Sequence, residues 1–319
     1  MTKKISQISA KFFITLVLIF LSGSAIAGDF PSKPITVIVP FPAGGSTDIM
    51  ARSISVELTD YFGKNVVVSN TGGGAGTVGL ASIARIRKDG YTIGIVPAAP
   101  LVNQPHMRKT PYDHNSFDYI CQVFSSAYGL AVKPNSPFST LNGLVDYAKV
   151  HPNELTYGSP GPGSLPHLAM EQFLEKFDLK IKHVPFTGDG PGVTALLGNH
   201  VDMYLMPTSV VVEKEVKAVA VFSEDRVDSL PDLPTAKEQG YDITASWWGG
   251  IIGPKGIPEK VKERLSAACV EASKSKRLKN ALNKLGSEMQ YLDPVNFKAQ
   301  VESVSETNGR LIKKLLLTK

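Results

Sequence analysis

The chain has 319 residues, 43% of them hydrophobic and 20% charged, which is a globular composition; its 34 Lys and Arg against 29 Asp and Glu give a formal charge of +5. Three of the Lys precede position 28, so a chain starting there carries 31 − 29 = +2 and offers no basic surface for nucleic acid or a membrane. The roughly 290 residues that remain are enough for two ordinary domains.

Lys3, Lys4 and Lys11 precede an apolar run from Phe12 to Leu21, and small residues closing in Ala25-Ile26-Ala27 follow it. This is the layout of a signal peptide, and the run is far short of the roughly 20 residues that a membrane span needs. Cleavage is expected after Ala27, with residues 1–27 removed and the remainder delivered to the periplasm. No Cys lies near that site, which argues against a lipid anchor.

Strands alternate with helices from Ile35 onward. The runs Ile35–Val39, Val66–Val68 and Thr92–Val96 read as strands, with helices near 47–61 and 77–87 between them. They are continuous β-branched runs, the pattern of a parallel sheet covered on both faces, in βαβαβ order. A second set follows Tyr128, with strands at 130–132, 155–157, 183–186, 201–204 and 218–221 and helices at 139–150, 164–177 and 191–198. The segments 257–286 and 294–314 read as amphipathic helices without strands of their own. An α/β protein of two lobes results: 28–126 plus 246–319 form lobe 1, and 127–245 form an inserted lobe 2. The chain is expected to cross between them near 125–129 and near 246–250, which makes a hinge and leaves a cleft.

The loop Pro40-Phe41-Pro42-Ala43-Gly44-Gly45-Ser46-Thr47-Asp48 joins the first strand to a helix. Its glycines allow close backbone approach, Ser46 or Thr47 can cap the helix, and the first amides can then bind an anion such as a carboxylate. The competing reading is an ordinary tight turn. Asp48, in the first helical turn, reads as a capping or dipole-compensating group rather than a general base. The device recurs at 157–164, before a helix carrying His167, and at 185–192. His167 reads either as a surface or capping residue or as support for the loop. Ligands of open parallel sheets sit at such carboxyl ends.

Several motifs occur in one order: Phe-Pro-Ala-Gly-Gly-Ser-Thr-Asp at 41–48, Asp-Gly-Tyr-Thr at 89–92, Ser159-x-Gly161-x-Gly163-Ser164-x-x-His167-Leu168, Val184-Pro185-Phe186-x-Gly188, Leu233-Pro234-Thr235-Ala236, and Trp248-x-Gly250. Together they resemble the extracytoplasmic solute receptors of tripartite tricarboxylate transporters, the Bordetella uptake gene product family, over essentially the whole mature chain. The resemblance implies a type II periplasmic-binding-protein fold, each lobe a mostly parallel sheet flanked by helices. It also implies a receptor that closes on a small organic acid and delivers it to a two-subunit membrane permease. By the same resemblance, ligand contacts are expected from Ala43, Gly44, Gly45, Ser46, Thr47 and Asp48, from Ser159, Gly161, Gly163, Ser164 and His167, and from Phe186, Thr187, Gly188, Asp189 and Gly190. Two departures stand out. Phe186-Thr187 replaces the family's usual Tyr and basic or polar residue, and the segment 203–217 is short, lacking the usual helix-and-glycine passage.

Other patterns carry less. Gly74-Ala75-Gly76-Thr77-Val78-Gly79 fits a dinucleotide fingerprint but follows the second strand and has no acidic ribose partner about 20 residues on. Its glycines are expected to shape a loop beside the cleft. The six His show no helical ligand spacing, so neither metal nor cofactor is expected. Gly161-Pro162-Gly163-Ser164-Leu165 is not a nucleophile elbow, and no catalytic residues are assigned. Cys121 and Cys269 are compatible with a disulfide in an oxidising compartment and equally with two buried thiols. Trp247 and Trp248 read as core packing, with a hinge role as the alternative. A monomer without nucleic-acid partners is expected. The competing functions are a periplasmic ligand-sensing module with a signalling partner and, further off, an exported hydrolase.

Overall fold

A computed structural model of the protein describes residues 30–317; the expected signal peptide at 1–27 lies outside the described residues. The first lobe opens with β1 (Ile35–Val39), α1 (Ser46–Phe62), β2 (Val66–Asn70), α2 (Thr77–Arg85) and β3 (Thr92–Pro97), followed by short helices α3 (Ala98–Val102) and α4 (Gln104–Met107). The long β4 (Phe117–Val132) leads to α5 (Leu141–Val150), β5 (Thr156–Ser159), α6 (Leu165–Lys176), β6 (Lys182–Pro185), α7 (Asp189–Leu197), β7 (Met203–Pro207), α8 (Thr208–Glu213) and β8 (Ala218–Phe222). The chain closes with β9 (Ser246–Pro254), α9 (Glu259–Lys274), α10 (Lys276–Lys284), β10 (Glu288–Leu292) and α11 (Pro294–Leu317).

β4 belongs to both lobes. Its residues Phe117 to Ala127 pair with β9, and Gln122 to Ser125 also meet β10. From Tyr128 onward its partners are β7 and β8. The first lobe therefore has the order β2-β1-β3-β9-β4-β10 and the second β8-β4-β7-β5-β6. In each, a parallel arm is joined to an antiparallel arm built on β4: β2-β1-β3 in one lobe, β7-β5-β6 in the other. β1, β3, β5 and β7 are buried on both faces, which explains the continuous apolar runs of β1, β3 and β7, whereas the edge strands β2 and β6 leave residues such as Val67 exposed.

The return crossing falls at Thr244–Ser246, where the Tyr128 amide donates to Ala245 O at 3.1 Å and the Ala245 amide to Phe222 O at 2.8 Å. The expected crossing at 246–250 instead lies inside β9, paired with both β3 and β4. Gly249 and Gly250 are there for packing: a Cβ on Gly250 would lie 2.2 Å from Cys121 O, and one on Gly249 2.5 Å from Val96 O.

Other differences have local causes. β4 begins at Phe117 rather than near residue 130, and its buried polar residues mask it. Asp118 is satisfied by Lys255 and by the amides of Gly256 and Ile257, whereas Gln122 donates Nε2 to Gln290 at 2.8 Å and leaves its buried Oε1 without a partner among the described residues. The segment 257–286 is two helices, because the Ser275 side chain caps α10. β10 lies in the part read as helix alone. The segment 203–217 does contain a helix, α8, hidden in Thr208-Ser209-Val210-Val211-Val212, where four of the five residues are β-branched.

Packing follows helical periodicity. α1 buries Met50, Ala51, Ile54 and Leu58 against the first sheet, each worth roughly 2 kcal/mol for the larger side chains. α7 and α8 cover one face of the second sheet. On the opposite face one continuous core runs through both lobes, from Leu80 and Leu101 through Trp248 and Phe297 to Phe173 and Phe222. Cys121 and Cys269 form a disulfide that ties β4 to α9.

Register brings the carboxyl ends of the parallel strands to the lobe boundary. Pro97 at the end of β3 pairs with Gly249, Gly249 with Phe124 just before the crossing, and Tyr128 just beyond it with Pro207 at the end of β7. β1 lies beside β3, and β5 and β6 beside β7, in parallel. The loops after β1, β5 and β6 consequently emerge at that boundary.

Candidate functional site

In the first loop the N-cap of α1 is Gly45, whose side is open to solvent, and neither Ser46 nor Thr47 caps the helix. Asp48 does not cap the helix start either; it ties the loop together. Its buried carboxylate accepts the Gly44 amide at 2.9 Å, the Asn70 side-chain amide at 2.9 Å and Arg52 Nε at 3.0 Å. The Arg52 hydrogen bond, working against desolvation and aided by Gly44 and Asn70, holds this carboxyl down to about 2. With the Gly44 amide committed to Asp48, the amides of Gly45, Ser46 and Thr47 have no protein acceptor among the described residues. Gly44 itself sits at φ +84°, a conformation that favours glycine. Behind the loop, Gly76 and Gly79 pack closely against it: a Cβ on Gly79 would meet Pro40 at 2.7 Å, and one on Gly76 would meet Phe41 and Pro100.

The second loop is built differently. Its amides are turned inward: Gly161 N donates to Ser159 Oγ at 3.2 Å, Gly163 N to His167 Nδ1 at 3.0 Å, and Ser164 N to Gly161 O at 3.2 Å. Pro160 and Pro162 have no N–H to offer. Ser164 caps α6 by accepting the His167 amide. His167 is buried rather than at the surface, and its Nδ1 holds the Gly163 amide. Its ring stacks on His183 at 4.1 Å, and His183 in turn stacks on Tyr157 at 4.9 Å. Tyr157 bonds to Glu171. The loop also touches the first lobe, where Asn103 Nδ2 donates to Gly163 O at 3.0 Å while Asn103 Oδ1 accepts from Asn308 Nδ2 of α11 at 2.8 Å.

Ser159 Oγ lies 2.7 Å from His183 Nε2, a pair that the sequence reading missed because 24 residues separate them. The serine is fully buried and its hydroxyl also serves the Gly161 backbone, so the pair holds the loop and offers no accessible nucleophile.

The third loop returns to the pattern of the first. Phe186 N donates to Ser159 O at 2.9 Å, and its ring packs over Gly158. The next four amides, of Thr187, Gly188, Asp189 and Gly190, have no protein acceptor among the described residues. Thr187, Asp189 and Gly190 are exposed, and a Cβ on Gly188 or Gly190 would meet nothing within 4 Å. Asp189 Oδ1 accepts from Tyr204 Oη at 3.0 Å. Although the Asp189 residue reaches solvent, the protein mass around it costs the carboxylate hydration and raises its pKa despite the tyrosine hydrogen bond.

Of the three loops expected to supply ligand contacts, the first and third thus hold amides without a protein acceptor among the described residues, whereas the second spends its amides on itself. No Arg or Lys lies in any of the three. A cavity of about 600 Å³ lies elsewhere, behind the crossing strands, lined by Tyr128, Gln172, Arg226, Glu288 and Thr307 among others. Glu224, Asp225 and Glu288 outnumber Arg226 there, and Arg226 already bonds to Glu238, so this cavity suits an anion poorly.

Residues 50–317 match the family described as tripartite tricarboxylate transporter family receptor. The chain is 33% identical to the protein BugT of Bordetella pertussis over 86% of its own length and 88% of that protein. Among solved structures, a TctC solute binding protein from Polaromonas, without ligand, superposes with a TM-score of 0.83 at 29% identity, covering 89% of this chain and 99% of that one. MatC of Rhodopseudomonas palustris with bound malate superposes at 0.69 with 25% identity, covering 89% and 100%. The two-lobed type II architecture is the one these receptors share with the present chain. Among the described residues no helix is long and apolar enough to cross a membrane.

Proposed function

The chain belongs to the receptor family of tripartite tricarboxylate transporters, and on that premise we propose that it captures a small carboxylate between its lobes and hands it to a two-subunit permease. The observation that carries the reading is the pair of amide runs without a protein acceptor among the described residues, Gly45–Thr47 in one lobe and Thr187–Gly190 in the other, each at the start of a helix. Amides and helix starts suit a carboxylate, and malate bound to MatC supports that ligand class.

In this reading the ligand carboxylate first meets the amides of Gly45, Ser46 and Thr47. Closure then brings the third loop onto the remainder, while the braced second loop with Phe186 forms the wall. Binding across both lobes favours the closed form by its differential affinity for that form. The lobes are 28–126 plus 246–319 and 127–245, a division supported by the change of β4 partners between Ala127 and Tyr128. The protein works without catalysis, as a monomer, in the periplasm after cleavage at Ala27.

Gly45→Val tests the assignment. Gly45 has φ −78°, and a Cβ there meets only Pro42 O at 3.6 Å, so the fold tolerates a side chain that blocks the amides. In a thermal-shift and calorimetric screen of mono-, di- and tricarboxylates, the mature wild type is expected to bind at least one acid. The variant should lose that affinity by a factor of about 100 or more while keeping its circular dichroism, in line with several lost charge-assisted hydrogen bonds. Unchanged affinity in the variant would remove the first loop from the site.

A further inference from the structure

The two amide loops each carry an acid in the first turn of the following helix, and the two acids are in opposite situations. Asp48 is buried, accepts three hydrogen bonds and pairs with Arg52. Asp189 has one phenol, Tyr204, on Oδ1; no cation pairs with it and no protein donor reaches Oδ2 among the described residues. It stands on the same exposed turn as the amides of 187–190. Its charge is felt at the crossing strand, where, after burial as the larger cause, it helps to raise the pKa of Tyr128.

A carboxylate at this place opposes a purely anionic ligand. Two like charges in a partly desolvated cleft repel, whereas an ammonium or other cationic nitrogen would supply the partner that Asp189 lacks. Resting on the carboxylate reading above, we propose that Asp189 is a specificity-determining residue that selects ligands carrying a cationic nitrogen alongside the carboxylate, amino-acid-like zwitterions rather than plain organic acids. The first loop takes the carboxylate and Asp189 takes the nitrogen from the opposite wall. Tyr204 fixes the Asp189 carboxylate from behind, and the fully buried Tyr204 ring, pressed against Gly158 and Gly192, leaves it little freedom.

The test is calorimetry on the mature protein at pH 7.5 with matched pairs: aspartate against succinate, glutamate against glutarate, and 4-aminobutyrate against butyrate. In at least one pair the nitrogen-bearing acid should bind at least tenfold more tightly, and in Asp189→Asn that ratio should fall at least threefold. Asp189 is exposed, so the variant is expected to fold, with circular dichroism as the check. If plain acids bind as tightly as their amino counterparts in every pair that binds, or if the preference survives Asp189→Asn, the inference is overturned while the carboxylate reading stands. If no acid of either kind binds the wild type, the carboxylate reading fails and this inference with it.

Discussion

At Asp48 a carboxylate is buried beside the proposed anion loop with its charge matched by the half-exposed Arg52, so its work is to shape the loop. Removing that charge in Asp48→Asn should cost roughly 1–2 kcal/mol, since one pKa unit corresponds to about 1.4 kcal/mol and solvent around Arg52 screens part of the effect. The sign with pH follows from linkage. The folded pKa, about 2, lies below the ordinary 3.8, so the contribution is present above pH 4 and disappears as pH falls toward 2. Urea midpoints of wild type and variant should therefore differ at pH 6 and converge near pH 2; a gap that stays constant over this range would contradict the assignment. The place of Asp48 in the first helical turn was legible in the sequence, but its bonds to Gly44, Asn70 and Arg52, in place of a cap, were not. The roles of Asp189, Tyr204 and His183 were not legible either, because their partners lie 15 or 24 residues away and meet only through strand register.

Among the elements, the regular ones were readable and the polar-containing or glycine-containing strands were not. α1, β1 and β3 follow from uninterrupted periodicity. β4 is interrupted by Asp118 and Gln122, and β9 contains Gly249, Gly250 and Gly253, so both looked like connections. In β9 the glycines meet a packing demand from the adjoining strands, which no single-strand pattern reveals. Gly250→Ala should accordingly destabilise the protein by about 1–3 kcal/mol, because its methyl group would press on the backbone carbonyl of Cys121. Denaturant titration measures this, and an unchanged midpoint would show that β4 and β9 are less closely packed than described. The three glycine-rich loops look equivalent in sequence, and only their hydrogen bonds separate the second, whose amides are bonded within the loop, from the first and third, whose amides have no protein acceptor among the described residues.

Across the whole molecule, the alternation of strands and helices was enough to place two lobes, while the details of the joint were not legible. The long β4 and the return through Thr244–Ser246 carry the connection. α11 adds a second link, with Phe297 packed on Tyr119 and Trp248 of the first lobe and Arg310 bonded to Glu175 of the second. The disulfide closes a span of 148 residues that includes all of the second lobe. By chain entropy its loss should cost about 3–5 kcal/mol, so Cys121→Ala with Cys269→Ala should lower the urea midpoint clearly. A midpoint unchanged from the oxidised wild type would mean that the bridge contributes nothing to stability.

The central claim is that a small acid is gripped from both lobes by backbone amides at helix starts. It is tested most directly by a crystal structure of the mature protein grown with the acid that most raises its melting temperature. The account predicts a carboxylate within about 3 Å of the Gly45, Ser46 and Thr47 amides, with the rest of the ligand against 187–190. An acid found in the cavity behind the crossing strands, or touching one lobe alone, would contradict it.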